Sequence, residues 1–306
     1  MATASQTLEQ SPVERIVRGI GNLVSSFIAF LRENKKVTAG LSILLLIVLF
    51  GTVGPLFRDP DMALMGAVPL SQPPSAEFPL GTEAMGRDML AVIMIGAPNT
   101  FRVGIIAGGV GTLIGLVLGF ITGYFRGPVD TVFRSMADVV MTIPSLAVLI
   151  ILTTYVRVMS LDTIALMVAI FLWPGATRAI RAQVLTLRER AFVDMAKMSG
   201  VSDFRIIFGE IMPNLLPYLV ANFVMAVSGG ILASIGLQLL GLGPMRVPSL
   251  GVTLHRAINS AAIVRGMWWW MIPPIVMLII LFIGLFLINV GLDEYANPRL
   301  RGALDE

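Results

Sequence analysis

The amino-acid sequence predicts an all-α polytopic membrane protein with six transmembrane helices. Hydrophobic residues make up 56% of its 306 residues and charged residues only 13%, whereas a typical soluble domain carries about 25% charged residues. The charges are also missing from long stretches, although a soluble core is usually interrupted by a charge every few residues. Lipid is therefore expected to be the solvent for most of the chain.

Six runs that contain no Asp, Glu, Lys or Arg mark the expected spans, since a spanning helix needs about 20 residues. The fourth run is short, and the flanking Asp162 or Arg178 could extend it by snorkelling. The fifth is long enough for one span plus an outer segment or for two short spans, and we choose one span. The runs are Val37–Phe57, Val103–Phe125, Val139–Val156, Thr163–Thr177, Ile211–Met245 and Gly266–Leu292.

The distribution of Lys and Arg predicts that both termini are cytoplasmic. Segments on that side hold fifteen basic residues, and the opposite segments, 58–102, 157–162 and 246–265, hold seven. This topology accounts for the net charge of +3 without nucleic acid as a partner. The chain then divides into an N-terminal cytoplasmic segment 1–36, a first helix with an outer loop 37–102, a five-helix core 103–292 with a cytoplasmic loop 178–210, and a cytoplasmic tail 293–306.

Three segments outside the spans have expected structures. Apolar residues at helical spacing before the first span predict an amphipathic helix that lies in the membrane interface or packs on a partner subunit. They are Ile16, Ile20, Leu23, Val24, Phe27, Ile28 and Leu31. The first apolar run starts too late and is too long for a cleavable signal peptide. The proline-rich segment 58–81 predicts an extended outer loop, and Trp268, Trp269 and Trp270 predict an aromatic belt at the outer membrane surface.

Small residues repeat every four positions in two of the spans. Gly111, Gly115, Gly119 and Gly123 form a ridge on one face of the second span, and Ala226, Gly230 and Ser234 repeat the spacing in the fifth. Such ridges let another helix backbone approach closely. Tight helix packing is the preferred interpretation, and a seam that slides during a conformational cycle is the alternative.

Several kinds of chemistry are excluded or disfavoured. The chain has no cysteine and a single histidine, His255, which is expected in an outer loop. No Gly-x-x-x-x-Gly-Lys-[Ser/Thr] phosphate loop occurs, so no cofactor is expected on this chain. The six runs hold no ionisable residue of the kind that ion-coupled carriers use. The outer Glu83, Arg87 and Asp88 could form an enzyme site, but capping of a helix that begins near Arg87 is preferred.

The segment between the fourth and fifth spans predicts a docking element for a soluble partner. Residues 188–198 suit a short helix, and Gly200 suits the left-handed position just after it. Ser202 or Asp203 can cap the next helix, and Pro213 is expected to kink or restart the helix at the start of the fifth span. A short surface helix between two tight turns can dock into a groove on another protein.

These residues resemble a known family. The pattern Asp194-x-Ala196-x-x-x-Gly200 followed by Met212-Pro213 resembles the Glu-Ala-Ala loop of type I ABC importer permeases, with Asp194, Met195 and Met212 in place of the usual Glu, Ala and Leu. Further matches identify the second, C-type permease of oligopeptide, dipeptide and nickel importers. They are Gly81-Thr-Glu-x-x-Gly-Arg-Asp88, Trp173-Pro174, Arg181-x-Gln183-Val-Leu, Arg188-Glu-Arg190, Gly241-Leu-Gly243 and Asn297-Pro-Arg-Leu-Arg301.

The resemblance implies an assembly in a prokaryotic cytoplasmic membrane. A homologous second permease would complete the pathway, two ATPase subunits would bind inside with ATP and Mg²⁺, and an extracytoplasmic binding protein would deliver the substrate. By position, the coupling loop would comprise Arg188, Arg190, Asp194, Ala196, Gly200, Ser202, Asp203 and Pro213. Leu250 and Asn297 stand where peptide permeases often have Trp and Asp, so peptides and oligosaccharides remain equal candidates. A stand-alone secondary transporter or channel is the alternative function.

Overall fold

The computed structural model describes residues 21, 25, 26, 28–156 and 158–296, and this part of the chain is helical without a strand. The helices are α1 (Lys35–Val53), α2 (Met89–Phe125), α3 (Gly127–Thr142), α4 (Ser145–Tyr155), α5 (Leu161–Arg188), α6 (Ala191–Met198), α7 (Asp203–Leu239), α8 (Leu250–Asn259) and α9 (Ile272–Ala296). Among the described residues, five helices are long and apolar enough to cross a membrane, and the number is six if the bent pair α3–α4 forms one broken span. This confirms the all-helical membrane class. The predicted amphipathic residues Ile16, Ile20, Leu23, Val24 and Phe27, and the terminal residues 297–306, lie outside the described residues.

The helix of the second span begins at Met89 rather than at Val103. The charge-free run begins after Arg102, but Arg102 itself lies within α2. Its exposed guanidinium pairs with the Asp162 carboxylate at 2.7 Å. Asp88 is the N-cap, and its carboxylate accepts a hydrogen bond from the Ala91 amide at 3.0 Å, which is the capping role predicted for this cluster.

The third span is not the straight helix that the run Val139–Val156 suggested. The axes of α3 and α4 differ by 83°, and Ile143 between them is extended. Pro144 explains the break, because its ring disfavours helical geometry at the preceding residue and it has no amide to donate. The charge-free run therefore joins the end of one helix to the whole of another.

The fifth run contains one long helix and a loop, as chosen from its length. Helix α7 ends at Leu239, and residues 240–249 lead into the short helix α8. A π-helical turn, Ile207–Ile211, interrupts α7 directly before Pro213. Pro213 cannot donate an amide hydrogen bond, so a local change of helical register is the expected accommodation.

Helix α2 is the central element and packs closely on α5 and α7. A Cβ built on Gly115 would lie 2.4 Å from the Ala176 Cβ, and one on Gly119 would lie 2.9 Å from the Ile180 Cβ. Gly111 and Gly123 meet α5 in the same way, at Leu172 and Val184. Side chains of α5 thus fill the gaps between the glycines of α2. Gly104 and Gly108, on another face of α2, meet Ile231 and Val227 of α7.

Residues 58–88 form a folded cap rather than an extended loop. We call this segment the loop cap. Its Glu83 and Arg87 are fully buried and form a two-bond ion pair, in which Arg87 Nη2 donates to Glu83 Oε2 at 2.8 Å. Arg256 of α8 lies 3.9 Å from the same carboxylate. The buried ion pair and Arg256 lie between the loop cap and α8, so they connect the two elements.

Two further expectations at this end of the bundle were wrong. Trp270 is fully buried and Trp269 is 9% exposed, so only Trp268, at 54%, can face a membrane surface. The indole of Trp269 donates to the Thr82 carbonyl at 3.1 Å, which ties the start of the last span to the loop cap. His255 lies on α8 rather than in a loop, and its Nδ1 donates to the Leu239 carbonyl at 2.8 Å.

Candidate partner-docking site

Residues 188–205 form a turn, the short helix α6 and a second turn, at the end of the bundle opposite the loop cap. We call them the turn–helix–turn segment. Its first turn follows the end of α5 at Arg188, and Arg190 in extended geometry is the N-cap of α6. The Val193 amide donates to the Arg190 carbonyl at 2.9 Å. The acidic Asp194 in the first turn and Lys197 in the last turn complement the helix dipole.

The second turn is a Schellman motif closed by Gly200. The Gly200 amide donates to the Lys197 carbonyl at 3.0 Å, and the Val201 amide donates to the Ala196 carbonyl at 3.1 Å. Gly200 has a φ of +74°, which L side chains adopt only with strain. The sequence predicts this position correctly, because glycine after a short helical pattern commonly ends a helix in this way.

The capping prediction at the next helix was only partly right. Ser202 occupies the N-cap position of α7, but among the described residues its side chain makes no capping hydrogen bond. Asp203 instead accepts a hydrogen bond from the Tyr124 hydroxyl at 2.6 Å. The missed signal is Tyr124, which lies far away in sequence, so local patterns could not associate it with this turn.

One side of the segment is anchored in the bundle. Val193 of the segment and Ile206 directly after it are fully buried, and they share a core with Phe120, Ile180 and Val184. Two polar contacts support this packing: Arg126, just after α2, pairs with Glu189 at 2.5 Å, and Arg188 donates to the Tyr124 carbonyl. The segment is therefore part of the helical core rather than a freely solvated loop.

The other side of the segment exposes large apolar side chains. Met195 is 59% exposed, Met198 80% and Phe204 72%. Phe204 packs on Phe208, with ring centroids 4.4 Å apart. Adjacent to them is an apolar cavity of about 560 Å³ between the end of α2 and the start of α7. Contiguous exposed apolar groups usually mark a surface that binds a protein or the membrane.

The polar residues near this surface do not form a metal-binding cluster among the described residues. In the described part of the chain, no three His, Asp or Glu side chains lie close enough together to hold a metal ion. The residues that the sequence singled out differ in their setting: Asp194, Arg190 and Gly200 are exposed, Ala196 is half-buried, and Pro213 lies beyond the π-helical turn at the surface of α7.

A helical membrane protein that exposes an apolar surface segment at one end of its bundle fits the subunits of multi-component transporters. Comparison with known proteins agrees, because residues 115–302 match the family described as the binding-protein-dependent transport system inner membrane component. The match covers more than half of the chain, and the chain belongs to this family.

Individual relatives agree with the C-type branch indicated by the sequence motifs. The chain is 37% identical to the oligopeptide transport system permease protein OppC of Lactococcus lactis subsp. cremoris over 190 residues, which are 62% of this chain and 65% of that protein. It is 29% identical to the dipeptide permease DppC of Bacillus subtilis over 273 residues, 89% of this chain and 84% of that protein. It is 32% identical to the oligopeptide permease OppC of Mycobacterium bovis over 219 residues, which are 70% of this chain and 74% of that protein.

Proposed function

We propose that this chain is one permease subunit of an ATP-driven importer in a prokaryotic cytoplasmic membrane. The observation that carries the proposal is the turn–helix–turn segment, which is anchored through Val193 and exposes Met195, Met198 and Phe204. Exposed apolar side chains beside charged ones at the end of the bundle favour a protein partner as their cover. A soluble partner that covers this surface explains why these side chains are exposed there.

The partners follow from what the chain contains and lacks. Its sequence has no phosphate loop, so ATP and Mg²⁺ belong to separate ATPase subunits that cover the turn–helix–turn segment. The excess of basic residues on the side of the termini and of this segment supports a cytoplasmic location for both. A homologous permease completes the pathway, and a binding protein delivers substrate at the opposite face, where the loop cap lies.

Peptides are the substrate class we infer. Relatives that align with 62% and 89% of the chain are named as oligopeptide and dipeptide permeases, and another is named as a glutathione permease. Oligosaccharides were an equal candidate on the sequence because of Leu250 and Asn297. Leu250 is completely buried at the start of α8, where its side chain serves packing and carries no information about the substrate.

The mechanism we infer is alternating access, in which closure of the ATPases moves the turn–helix–turn segment and rotates the two permeases. The contacts of the central helix favour rigid-body motion over sliding within the chain. Ala176 and Ile180 fill gaps at the glycines of α2. If α5 slid along α2, these side chains would be pushed out of the gaps and against larger residues of α2. Helices α2 and α5 are therefore expected to move together.

Purification from native membranes in mild detergent tests the proposal. Mass spectrometry is expected to find a second permease and ATPase subunits with the chain, and the complex is expected to hydrolyse ATP. A matched preparation with a tag on an unrelated membrane protein controls for carry-over. A chain that purifies alone and transports solute on an ion gradient would overturn the importer and make the stand-alone transporter the better account.

A further inference from the structure

We propose that Tyr124 is a positioning residue that fixes the turn–helix–turn segment to the helical bundle. It thereby determines how much of a movement of this segment is transmitted to the bundle. The proposal rests on the proposed function, because it concerns transmission from the docking surface to the spans. Tyr124 lies in the last turn of α2, where it contacts the end of α5, helix α6 and the start of α7. No other described tyrosine has a comparable set of polar partners.

The first support is the hydrogen bonding of Tyr124. Its hydroxyl donates to Asp203 Oδ1 at 2.6 Å, and its backbone carbonyl accepts a hydrogen bond from Arg188. Asp203 begins α7 and Arg188 ends α5. One residue of α2 thus holds both boundaries of the turn–helix–turn segment.

The second support is the placement of two cations around the aromatic ring. The Arg188 guanidinium lies 5.5 Å from the ring centroid, and Lys197 Nζ of α6 lies 5.9 Å from it. Cations within about 6 Å of an aromatic ring are attracted to it. Lys197 gives α6 a direct electrostatic contact with α2, which the hydrogen bonds to the segment boundaries do not provide.

The third support is the limited contact that α6 otherwise makes. Every residue of α6 is described, and Val193 is its one buried residue. Tyr124 itself is 4% exposed and belongs to the same core as Val193. Apart from Val193, only the partly buried Phe192 and Ala196 of α6 pack on this core. A specific hydrogen bond and two ring contacts at its edge can therefore determine whether α6 moves with the bundle or tilts on its own.

The hydroxyl separates this role from simple packing. A phenylalanine at position 124 would fill the same space and keep both cations over the ring, but it would lose the bond to Asp203. A hydrogen bond to a charged acceptor shifts an equilibrium by about tenfold or more when buried and by less when partly exposed. Since Asp203 is exposed, we expect a change of about three- to tenfold.

The test compares Tyr124→Phe with Tyr155→Phe in the complex purified from native membranes and placed in lipid nanodiscs. Tyr155 is 80% exposed at the end of α4, so its variant is the matched control. Amide hydrogen exchange of residues 192–203 is expected to rise about three- to tenfold in Tyr124→Phe alone. Asp203→Ala is expected to give the same increase, with no further increase in the double variant.

Transmission of movement from the turn–helix–turn segment is measured at α8, at the opposite end of the bundle. MgATP with vanadate, which arrests ATPases in a closed state, is expected to change the exchange of α8, Leu250–Asn259, in the unaltered protein. Tyr124→Phe is expected to lose at least half of this change while the complex keeps its composition and melting temperature. A role confined to stability would lower the melting temperature and leave the response of α8 intact.

Two results would overturn the proposal. One is unchanged exchange of residues 192–203 in Tyr124→Phe, and the other is an α8 response equal to that of the Tyr155→Phe control. Failure of the proposed function looks different, because the unaltered chain would then purify without ATPase subunits. In that event exchange of residues 192–203 in the isolated chain still decides whether Tyr124 fixes the segment.

Discussion

Arg181 of α5 holds Asp130 of α3 through two parallel hydrogen bonds, Nε to Oδ1 at 2.5 Å and Nη2 to Oδ2 at 2.6 Å. The side chains are 22% and 15% exposed, so water screens the pair only in part. This forked contact fixes the first half of the bent third span to α5. A planar guanidinium matches a carboxylate in this way, and a lysine ammonium cannot.

Removal of this ion pair is expected to loosen α3. A double-mutant cycle with Arg181→Gln and Asp130→Asn should give a coupling free energy of about 1–3 kcal/mol. It is measured by thermal unfolding of the detergent-solubilised protein. The same cycle at Arg102 and Asp162, which are 57% and 50% exposed, should give less than about 1 kcal/mol. Equal couplings at the two sites would show that burial of the Arg181 pair contributes nothing.

The buried Glu83 is expected to be essential for the loop cap. Glu83→Ala leaves the buried Arg87 and Arg256 without their common counter-charge and should destabilise the protein by about 3–5 kcal/mol. Burial, and then the neighbouring Arg87, already lower the pKa of Arg256 below its usual value, which shows that positive charge is costly there. Thermal unfolding measures the effect.

The control for Glu83 is Glu77→Ala in the same segment, because Glu77 is exposed and its loss should change stability by less than about 0.5 kcal/mol. A Glu83→Leu, Arg87→Met double variant should recover part of the loss, since it also removes one of the orphaned charges. If the Glu83→Ala and Glu77→Ala variants have the same melting temperature, the ion cluster does not stabilise the loop cap.

The glycine ridge is expected to reject even one methyl group at its tightest point. Gly115→Ala would place a Cβ 2.4 Å from the Ala176 Cβ and 2.9 Å from the Thr177 amide nitrogen, so α2 and α5 would have to separate. We expect a loss of about 1–3 kcal/mol, measured by thermal unfolding. Gly109→Ala is the control, because its nearest neighbour would be Phe223 at 3.8 Å. A Gly115→Ala protein as stable as this control would contradict the interlocked seam.

The sequence predicted the ridge and the Schellman glycine but missed the contacts between distant segments. Four glycines at one spacing mark a helix face, and Gly200 marks a helix end, because local geometry alone requires them. Pairing of Tyr124 with Asp203 and of Glu83 with Arg256 depends on how the helices assemble, which no local pattern encodes. Charge-free runs also misplaced the start of α2, since the run begins after Arg102 and Arg102 itself lies within the helix.

The left-handed geometry of Gly200 gives a prediction for the turn–helix–turn segment. Gly200→Ala has open space around its Cβ but must keep a φ of +74°, which costs about 1–2 kcal/mol for an L side chain. Amide exchange of residues 191–201 should accelerate accordingly. Gly175→Ala also meets open space, but inside a helix, and should be neutral or stabilising by up to about 1 kcal/mol. Equal exchange in both variants would contradict the Schellman closure of α6.

The most direct test of the central claim is a cross-link from α6 to its partner. The chain has no cysteine, so Met198→Cys provides a unique thiol within it at a side chain that is 80% exposed. Val264→Cys, at an 89% exposed position near the opposite end, is the matched control. In native membranes a maleimide–benzophenone reagent on Cys at position 198 is expected to capture an ATPase subunit, and the control is expected to capture none. Capture of lipid alone at position 198, or of the ATPase at both positions, would contradict a docking role for this segment.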